Sequence, residues 1–314
     1  MITSRVLLTT SKILTLETEG PVATTSESIL PPCSLKWRQK KLWVKPACQA
    51  QTSILPALQS TQWLLDCLKR SPVKYVCIDP KLGEKGIKDW ADVCKRASKK
   101  VFLRLPAYRK LLESKNLVCW RIKRSLDWIA AALLLLLLGP IMLGIAGAIA
   151  LSSPGPVFFH QWRVGRRGKL FQVIKFRTMV VEAESQHHEV MGEQLGLHKR
   201  QDDPRITPLG RWLRKYSLDE LPQLFNVLKG EMSLVGPRPW ALYDALRLGN
   251  ASKQRLNALP GITGPWQVEA RSNLLDLEVV SKWDLDYLCN WSLGKDLKIL
   301  LMTIPRVISG FGAY

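Results

Sequence analysis

Apolar positions along this 314-residue chain change their spacing several times, and each change predicts an element. Residues 58–71 and 87–98 repeat apolar positions at helical intervals, while 73–78 and 101–105 are short strand-like runs. An αβαβ succession is therefore expected, resembling the back half of a doubly wound domain. No Gly-x-Gly-x-x-Gly precedes it, so no dinucleotide site is read there. Residues 157–159 and 171–176 flank Arg166-Arg167-Gly168 and predict a β-hairpin with a basic tip. Further on, Leu221, Leu224, Phe225 and Leu228 recur at i, i+3, i+4 and i+7, predicting a buried helical stripe with Asp219, Gln223 and Asn226 opposite it. That helix should begin near Leu218 with Ser217 as N-cap, because Pro222 lacks an N–H and is tolerated only in a first turn. Residues 297–308 form an apolar helix too short to span a bilayer, hence core or interfacial. Residues 1–50 give only irregular signals and the basic-aromatic run 36–43, which is read as a solvated face.

The longest feature is residues 129–151, apolar throughout. As a straight helix this run would reach about 34 Å, enough for a bilayer core of ~30 Å. Gly139-Pro140 sits at its middle, where proline removes a helical hydrogen bond and forces a kink. Both flanks are basic: Arg121, Lys123 and Arg124 precede it, and Arg163, Arg166 and Arg167 follow. The positive-inside rule therefore gives no orientation, and a hairpin that enters and leaves on one face satisfies both flanks. Asp127, one turn after Lys123, is sufficiently explained by an ion pair at i−4.

Composition sharpens the picture. A formal charge of +20 with 46% hydrophobic residues excludes a disordered chain and suits an anionic partner: nucleic acid, anionic lipid or a nucleotide. Seven scattered cysteines without a Cys-x-x-Cys pair suggest reduced thiols and speak against a zinc site. One early Arg5 and a broken apolar run do not make a signal peptide. His187, His188 and His198 fall in a polar stretch read as a charged loop in preference to a metal cluster.

The candidate chemistry lies between Ser217 and Pro239. Two adjacent carboxylates, Asp219 and Glu220, open the short helix, and Arg238 is held between Pro237 and Pro239 shortly after it. Acid beside a rigidly presented guanidinium suits phosphate chemistry, with metal on one side and phosphoryl oxygen on the other. Ser217-x-x-Glu220 also reads as a capping box that contributes about 1 kcal/mol and nothing else. That reading leaves Asp219 and the Pro-Arg-Pro unexplained, and both can hold.

From about residue 122 onward, the chain resembles the bacterial sugar transferases, monotopic polyprenyl-phosphate phosphoglycosyl transferases that prime exopolysaccharide and O-antigen synthesis. The resemblance rests on an ordered series that includes Lys123-Arg124-x-x-Asp127, the apolar segment with its proline, and Ser153-Pro154-Gly155-Pro156. Lys175-Phe176-Arg177-Thr178-Met179, Asp203-Pro204-Arg205-Ile206-Thr207 and Asp219-Glu220-Leu221-Pro222-Gln223 come next. Gly236-Pro237-Arg238-Pro239 and Pro260-Gly261-Ile262-Thr263-Gly264 continue it.

This resemblance implies an α+β membrane-associated fold: a re-entrant membrane helix-hairpin with amphipathic helices and a small β-hairpin, preceded by a partial Rossmann-like αβαβ segment. The implied division is an irregular segment (1–50), a partial α/β domain (51–118), the membrane helix (119–152) with its kink at Gly139 and Pro140, and a catalytic domain (153–314). Asp219 would attack the β-phosphate of a UDP-sugar and release UMP, then pass the sugar phosphate to polyprenyl (undecaprenyl) phosphate. Glu220 would complete the dyad and, with Asp219, hold Mg²⁺. Arg238 would bind phosphate, with Lys175, Arg177 and Arg205 as further anion contacts. The expected location is the cytoplasmic face of the bacterial inner membrane. Membrane lipid is an expected partner and nucleic acid is not, and the αβαβ segment would serve homodimerisation or regulation. Trp240-Ala241 and Pro265-Trp266 depart from the family pattern. A basic nucleic-acid-binding or scaffolding protein would share the charge but leave the dyad without a use, and a degenerate transferase would not keep Asp219, Glu220 and Arg238.

Overall fold

A computed structural model describes residues 30–47, 58, 60–105, 117–183, 186, 202–269 and 276–310. His187, His188 and His198 lie outside them. The chain opens with a hairpin, β1 (Cys33–Arg38) and β2 (Lys41–Pro46), turned at Gln39, whose φ of 56° is the left-handed conformation of tight hairpin turns. Helix α1 (Thr61–Arg70), strand β3 (Tyr75–Ile78), helix α2 (Gly83–Arg96) and strand β4 (Lys100–Leu103) follow. The sheet order is β1-β2-β3-β4, with β2, β3 and β4 parallel and β1 antiparallel to β2.

The αβαβ order is as expected. Residues 33–46 form a hairpin, which corrects the reading of this stretch as irregular, while residues 36–41 are exposed, as a solvated face requires. Leu42 and Val44 point into the core while lysines and Trp37 face outward, a period-2 alternation masked in sequence by the density of charge.

Helix α3 (Leu117–Ser152) comes next, the one helix among the described residues long and apolar enough to cross a membrane. It is a single helix with Pro140 inside, so the expected bend does not divide it into two elements. One stripe is buried: Ala131 packs with Val227 and Leu234, while Met142, Ile145 and Ile149 pack with Phe176 and Leu213. The rest is bare; Leu136 is 79% exposed.

The expected basic-tipped hairpin is β5 (Phe158–Val164) and β6 (Leu170–Phe176), with β8 (Trp240–Ala241) beyond β5 in the order β6-β5-β8. Helix α4 (Pro208–Lys215) is N-capped by Thr207, whose hydroxyl accepts from Gly210 N at 3.0 Å. Helix α5 (Gln223–Leu228), strand β7 (Ser233–Val235), helix α6 (Leu242–Arg247), strand β9 (Gly261–Thr263) and helix α7 (Pro265–Glu269) complete the middle. Two further helices close it, α8 (Leu277–Cys289) and α9 (Leu293–Ser309). The last places Leu297, Leu301, Ile304 and Ile308 on the surface, as an interfacial helix would.

The N-terminal sheet does not stand apart. Val76, Ile78 and Trp90 belong to the same buried cluster as Trp162, Trp240 and Leu242. Trp162 Nε1 donates to Asp92 at 2.8 Å across that junction.

Three buried charges fasten α3 to the body. Lys123 Nζ lies 2.5 Å from Asp296 and 3.7 Å from Asp127. Asp127 also accepts from Ser233 Oγ at 2.7 Å and from Leu234 N at 3.2 Å. Its pairing with Lys123 is thus only part of its role. Arg124 donates to the Met232 carbonyl at 3.0 Å, and Trp128 Nε1 to that of Val227 at 3.1 Å.

Candidate active site

The acidic pair stands on a single 3-10 turn, Leu218–Glu220, between α4 and α5. Ser217 before it adopts φ 53°, a left-handed conformation that costs a non-glycine residue of order 1 kcal/mol and is held only where the surroundings fix it. Its side chain does not cap, so the expected capping box is not formed, and α5 begins after Pro222, not near Leu218.

The buried face of α5 also differs from expectation. Gln223, Leu224, Asn226 and Val227 are buried, whereas Phe225 and Leu228 are about two-fifths exposed. The reason is the free edge of β6. Asn226 Oδ1 accepts from Ile174 N at 3.0 Å and its Nδ2 donates to Gln172 O at 2.8 Å, so one side chain replaces a missing strand.

That contact sets β6 beside the dyad. Lys175 Nζ donates to Glu220 Oε1 at 2.5 Å and lies 3.9 Å from Asp219 Oδ2. Asp219 is buried, and Glu220 keeps a quarter of its side chain in solvent. Lys175, Asp219 and Glu220 are thus brought together, with Lys175, expected as a contact for anionic substrate, paired to the dyad's own carboxylates.

Arg177 and Arg205 have other partners. Arg177 donates to the carbonyls of Pro154 at 2.7 Å and Ser153 at 2.8 Å, tying down the exit of α3. Arg205 is buried and bound through two nitrogens to Asp203, at 2.9 and 2.6 Å, with a third on Ala183 O. The Arg205 pairing holds Asp203 below the usual carboxylate range. Both arginines are engaged by the protein itself.

Arg238 lies on the loop that leaves β7. Glycines make that loop possible: a Cβ on Gly261 would meet Gly236 N at 2.1 Å, and one on Gly264 would meet Gly236 O at 2.2 Å. The Gly-Pro-Arg-Pro and Pro-Gly-Ile-Thr-Gly segments therefore press backbone on backbone, with Gly236 N donating to Thr263 O at 2.9 Å. The Arg238 guanidinium sits 5.0 Å above the Trp266 ring.

Two arginines that sequence reasoning missed clamp this loop from beneath. Arg163 Nη1 donates to Pro239 O at 3.3 Å, and Arg255 Nη2 donates to Arg238 O at 2.9 Å. Arg255 also binds Asp284 and lies 4.6 Å over Trp240. Burial pushes the Asp284 carboxyl up against the pull of Arg255, and lifts Asp244 to about 6 against Arg163 and Arg238. Nε of both Arg163 and Arg255 is buried without a hydrogen-bond partner. An arginine inside an apolar strand, as in Trp162-Arg163-Val164, is the signal that could have found the first of them.

Chemically, this is a carboxylate pair beside an ammonium, with Arg163 in electrostatic reach of both Glu220 and Arg238, in a chain that carries one membrane-length helix. It suits a reaction at a polyanionic phosphate.

The model of the bacterial sugar transferase family matches residues 118–310. The chain is 44% identical over 200 residues to a UDP-glucose:undecaprenyl-phosphate glucose-1-phosphate transferase of Caulobacter vibrioides, covering 61% of this chain and 72% of that protein. It is 43% identical over 194 residues to a galactosyl transferase of Streptococcus agalactiae serotype III, covering 61% of this chain but 43% of that protein. An undecaprenyl-phosphate galactose phosphotransferase of Salmonella typhimurium is 33% identical over 296 residues, which takes in 85% of this chain and 62% of that protein. That alignment reaches into the N-terminal sheet.

Proposed function

Since the chain belongs to the bacterial sugar transferase family, we propose that it moves a sugar 1-phosphate from a UDP-sugar to undecaprenyl phosphate, releasing UMP and priming polysaccharide synthesis. The observation that carries this reading is the Lys175–Glu220–Asp219 cluster, with buried Arg163 within electrostatic reach of both Glu220 and Arg238.

In the first step an Asp219 oxygen attacks the β-phosphorus of the donor. The bond from that phosphorus to the bridging oxygen breaks, and UMP leaves with the bridging oxygen. An oxygen of the lipid phosphate then attacks the same phosphorus, the acyl-phosphate bond breaks, and the carboxylate is regenerated. Lys175 orients Glu220 and offsets charge at Asp219, while Arg238 draws the diphosphate into line.

The donor set fits Mg²⁺: Asp219 and Glu220 are hard oxygen ligands, and this ion is commonly held by one or two carboxylates plus substrate phosphate. When bound, Mg²⁺ would neutralise developing charge on the diphosphate. Among the described residues no group of three or more acidic, histidine or cysteine side chains could hold a metal by itself.

We read α3 as re-entrant from the cytoplasmic face. Both of its halves pack on the same transferase body, Ala131 on one side of Pro140 and Ile149 on the other. Exposed Trp212, Phe225, Leu228 and Leu301 would add an apolar rim at headgroup level.

The test is UMP release from a panel of UDP-sugars, in nanodiscs with Mg²⁺ and undecaprenyl phosphate, by wild type and Asp219→Asn. Release by the wild type that is lost in the variant supports the reading and names the sugar. Folded wild type that releases UMP from no donor would sink it.

A further inference from the structure

Arg255 and Asp284 form an ion pair that solvent does not reach, with side chains 0% and 1% exposed. They come from different elements, Arg255 from the 3-10 helix Ser252–Asn257 and Asp284 from the middle of α8. Taking two charges out of water costs more than their attraction commonly returns, and apolar residues of similar size often replace such a pair without loss of stability. Stability is therefore a weak reason for the pair. The direction of its hydrogen bonds offers a better one.

The guanidinium nitrogen that binds Asp284, Nη2, also donates to the main-chain carbonyl of Arg238 at 2.9 Å. Asp284 thus fixes the nitrogen, and the nitrogen fixes the carbonyl. The guanidinium lies 4.6 Å over the ring of buried Trp240, which limits its movement from that side.

Arg238 has little freedom once that carbonyl is held. The ring of Pro237 fixes φ before it, and Pro239 confines Arg238 itself to extended backbone. The Pro237 carbonyl accepts from Gly261 N at 2.9 Å and the Pro239 carbonyl from Arg163 at 3.3 Å. All three carbonyls of the Pro-Arg-Pro are therefore engaged, and Arg255 takes the central one. The Arg238 side chain leaves this frame with its guanidinium 5.0 Å over Trp266.

We propose that Arg255, held by Asp284, is a positioning residue that sets the Arg238 backbone so that its guanidinium meets the diphosphate of a nucleotide sugar. The inference rests on the transferase reading, in which Arg238 draws that diphosphate into line. Two substitutions separate this role from simple support of the fold. Lysine is one bond shorter than arginine, so Arg255→Lys keeps a charge beside Asp284 but loses reach toward the carbonyl. Arg255→Met/Asp284→Leu removes both charges together and leaves neither buried alone.

The experiment is a cycle on the full chain in nanodiscs with Mg²⁺: wild type, Arg255→Lys and Arg255→Met/Asp284→Leu, each with and without Arg238→Ala. UMP release gives kcat/KM for the UDP-sugar, and calorimetry gives the affinity for UDP, which needs no turnover. Each Arg255 variant should lose about 10²-fold in kcat/KM and about tenfold in UDP affinity, as expected for a binding group displaced by about 1 Å. The Met/Leu variant should nonetheless melt within about 4 °C of wild type or above it. On the Arg238→Ala background the same changes should cost less than about twofold, because the group they position is gone. Equal losses on both backgrounds, or variants that bind UDP and turn over as the wild type does, overturn the positioning role. If folded wild type releases UMP from no donor, the transferase reading falls while the UDP cycle still decides this one. A wild type that does not bind UDP overturns it as well.

Discussion

Lys123 and Asp296 offer the sharpest energetic test of how α3 is held. Both are buried, 2.5 Å apart, and Asp296 also accepts from Tyr287 Oη at 2.6 Å and Trp291 Nε1 at 3.2 Å. Burial and the Asp296 charge together lift the Tyr287 hydroxyl well above its usual range, as a neighbouring carboxylate should. With Arg124 and Asp127 the group holds two cations and two carboxylates, so it is neutral as it stands. Asp296→Asn keeps Oδ1 as acceptor but turns a second donor toward Lys123 and leaves one buried positive charge. Lys123→Met leaves the opposite charge. Removing one member of a buried pair costs about 3–5 kcal/mol, so each single variant should lose that much. The double variant restores neutrality and should fall short of the summed losses by about 2 kcal/mol or more. Denaturant unfolding in detergent, followed by near-ultraviolet circular dichroism, measures all four proteins. Singles that lose under about 1 kcal/mol, or losses additive to within about 0.5 kcal/mol, would refute a desolvated anchor.

Other outcomes follow from the same geometry. Lys175→Met should lower kcat for UMP release by about 10²–10³-fold, because two carboxylates are left without their cation; a loss under about tenfold would remove Lys175 from the mechanism. Asp244 has its folded value raised from 3.8 to about 6 by burial, so it contributes stability below about pH 4 that is lost as pH rises through 6. Stability of Asp244→Asn relative to wild type should accordingly rise by up to about 3 kcal/mol from pH 4 to pH 7, and a flat difference across that window would contradict it. Gly261→Ala should cost about 3 kcal/mol or more, since its Cβ meets backbone at 2.1 and 2.4 Å, whereas Gly139→Ala, with nothing within 4 Å, should stay within about 1 kcal/mol by thermal unfolding.

The order of motifs carried the family, while local spacing carried the αβαβ segment, the basic-tipped hairpin and the adjacent Asp219-Glu220 pair; the pairing of Lys175 with that dyad needed the long-range docking of β6. What the sequence hid depends on distant partners. Asn226 reads as a solvent position of α5 until the unpaired edge of β6, some 50 residues earlier, takes its amide. Arg177 and Arg205 carry the charge expected of substrate ligands, yet Ser153, Pro154 and Asp203 already satisfy them. Arg163 and Arg255 matter only because the chain returns to lay the Arg238 loop across them. The β1–β2 hairpin was obscured by its lysines, which alternate with the buried Leu42 and Val44.

The central claim is that Asp219 becomes covalently bound to the sugar phosphate. Intact-mass analysis of the protein, given the UDP-sugar that supports UMP release but no lipid acceptor, tests it directly. The account predicts UMP in amounts matching the enzyme and a phosphosugar adduct that maps to the peptide bearing Asp219, is absent in Asp219→Asn, and disappears when undecaprenyl phosphate is added. Enzyme that stays unmodified and releases UMP only when both substrates are present would mean direct transfer between them, and would contradict it.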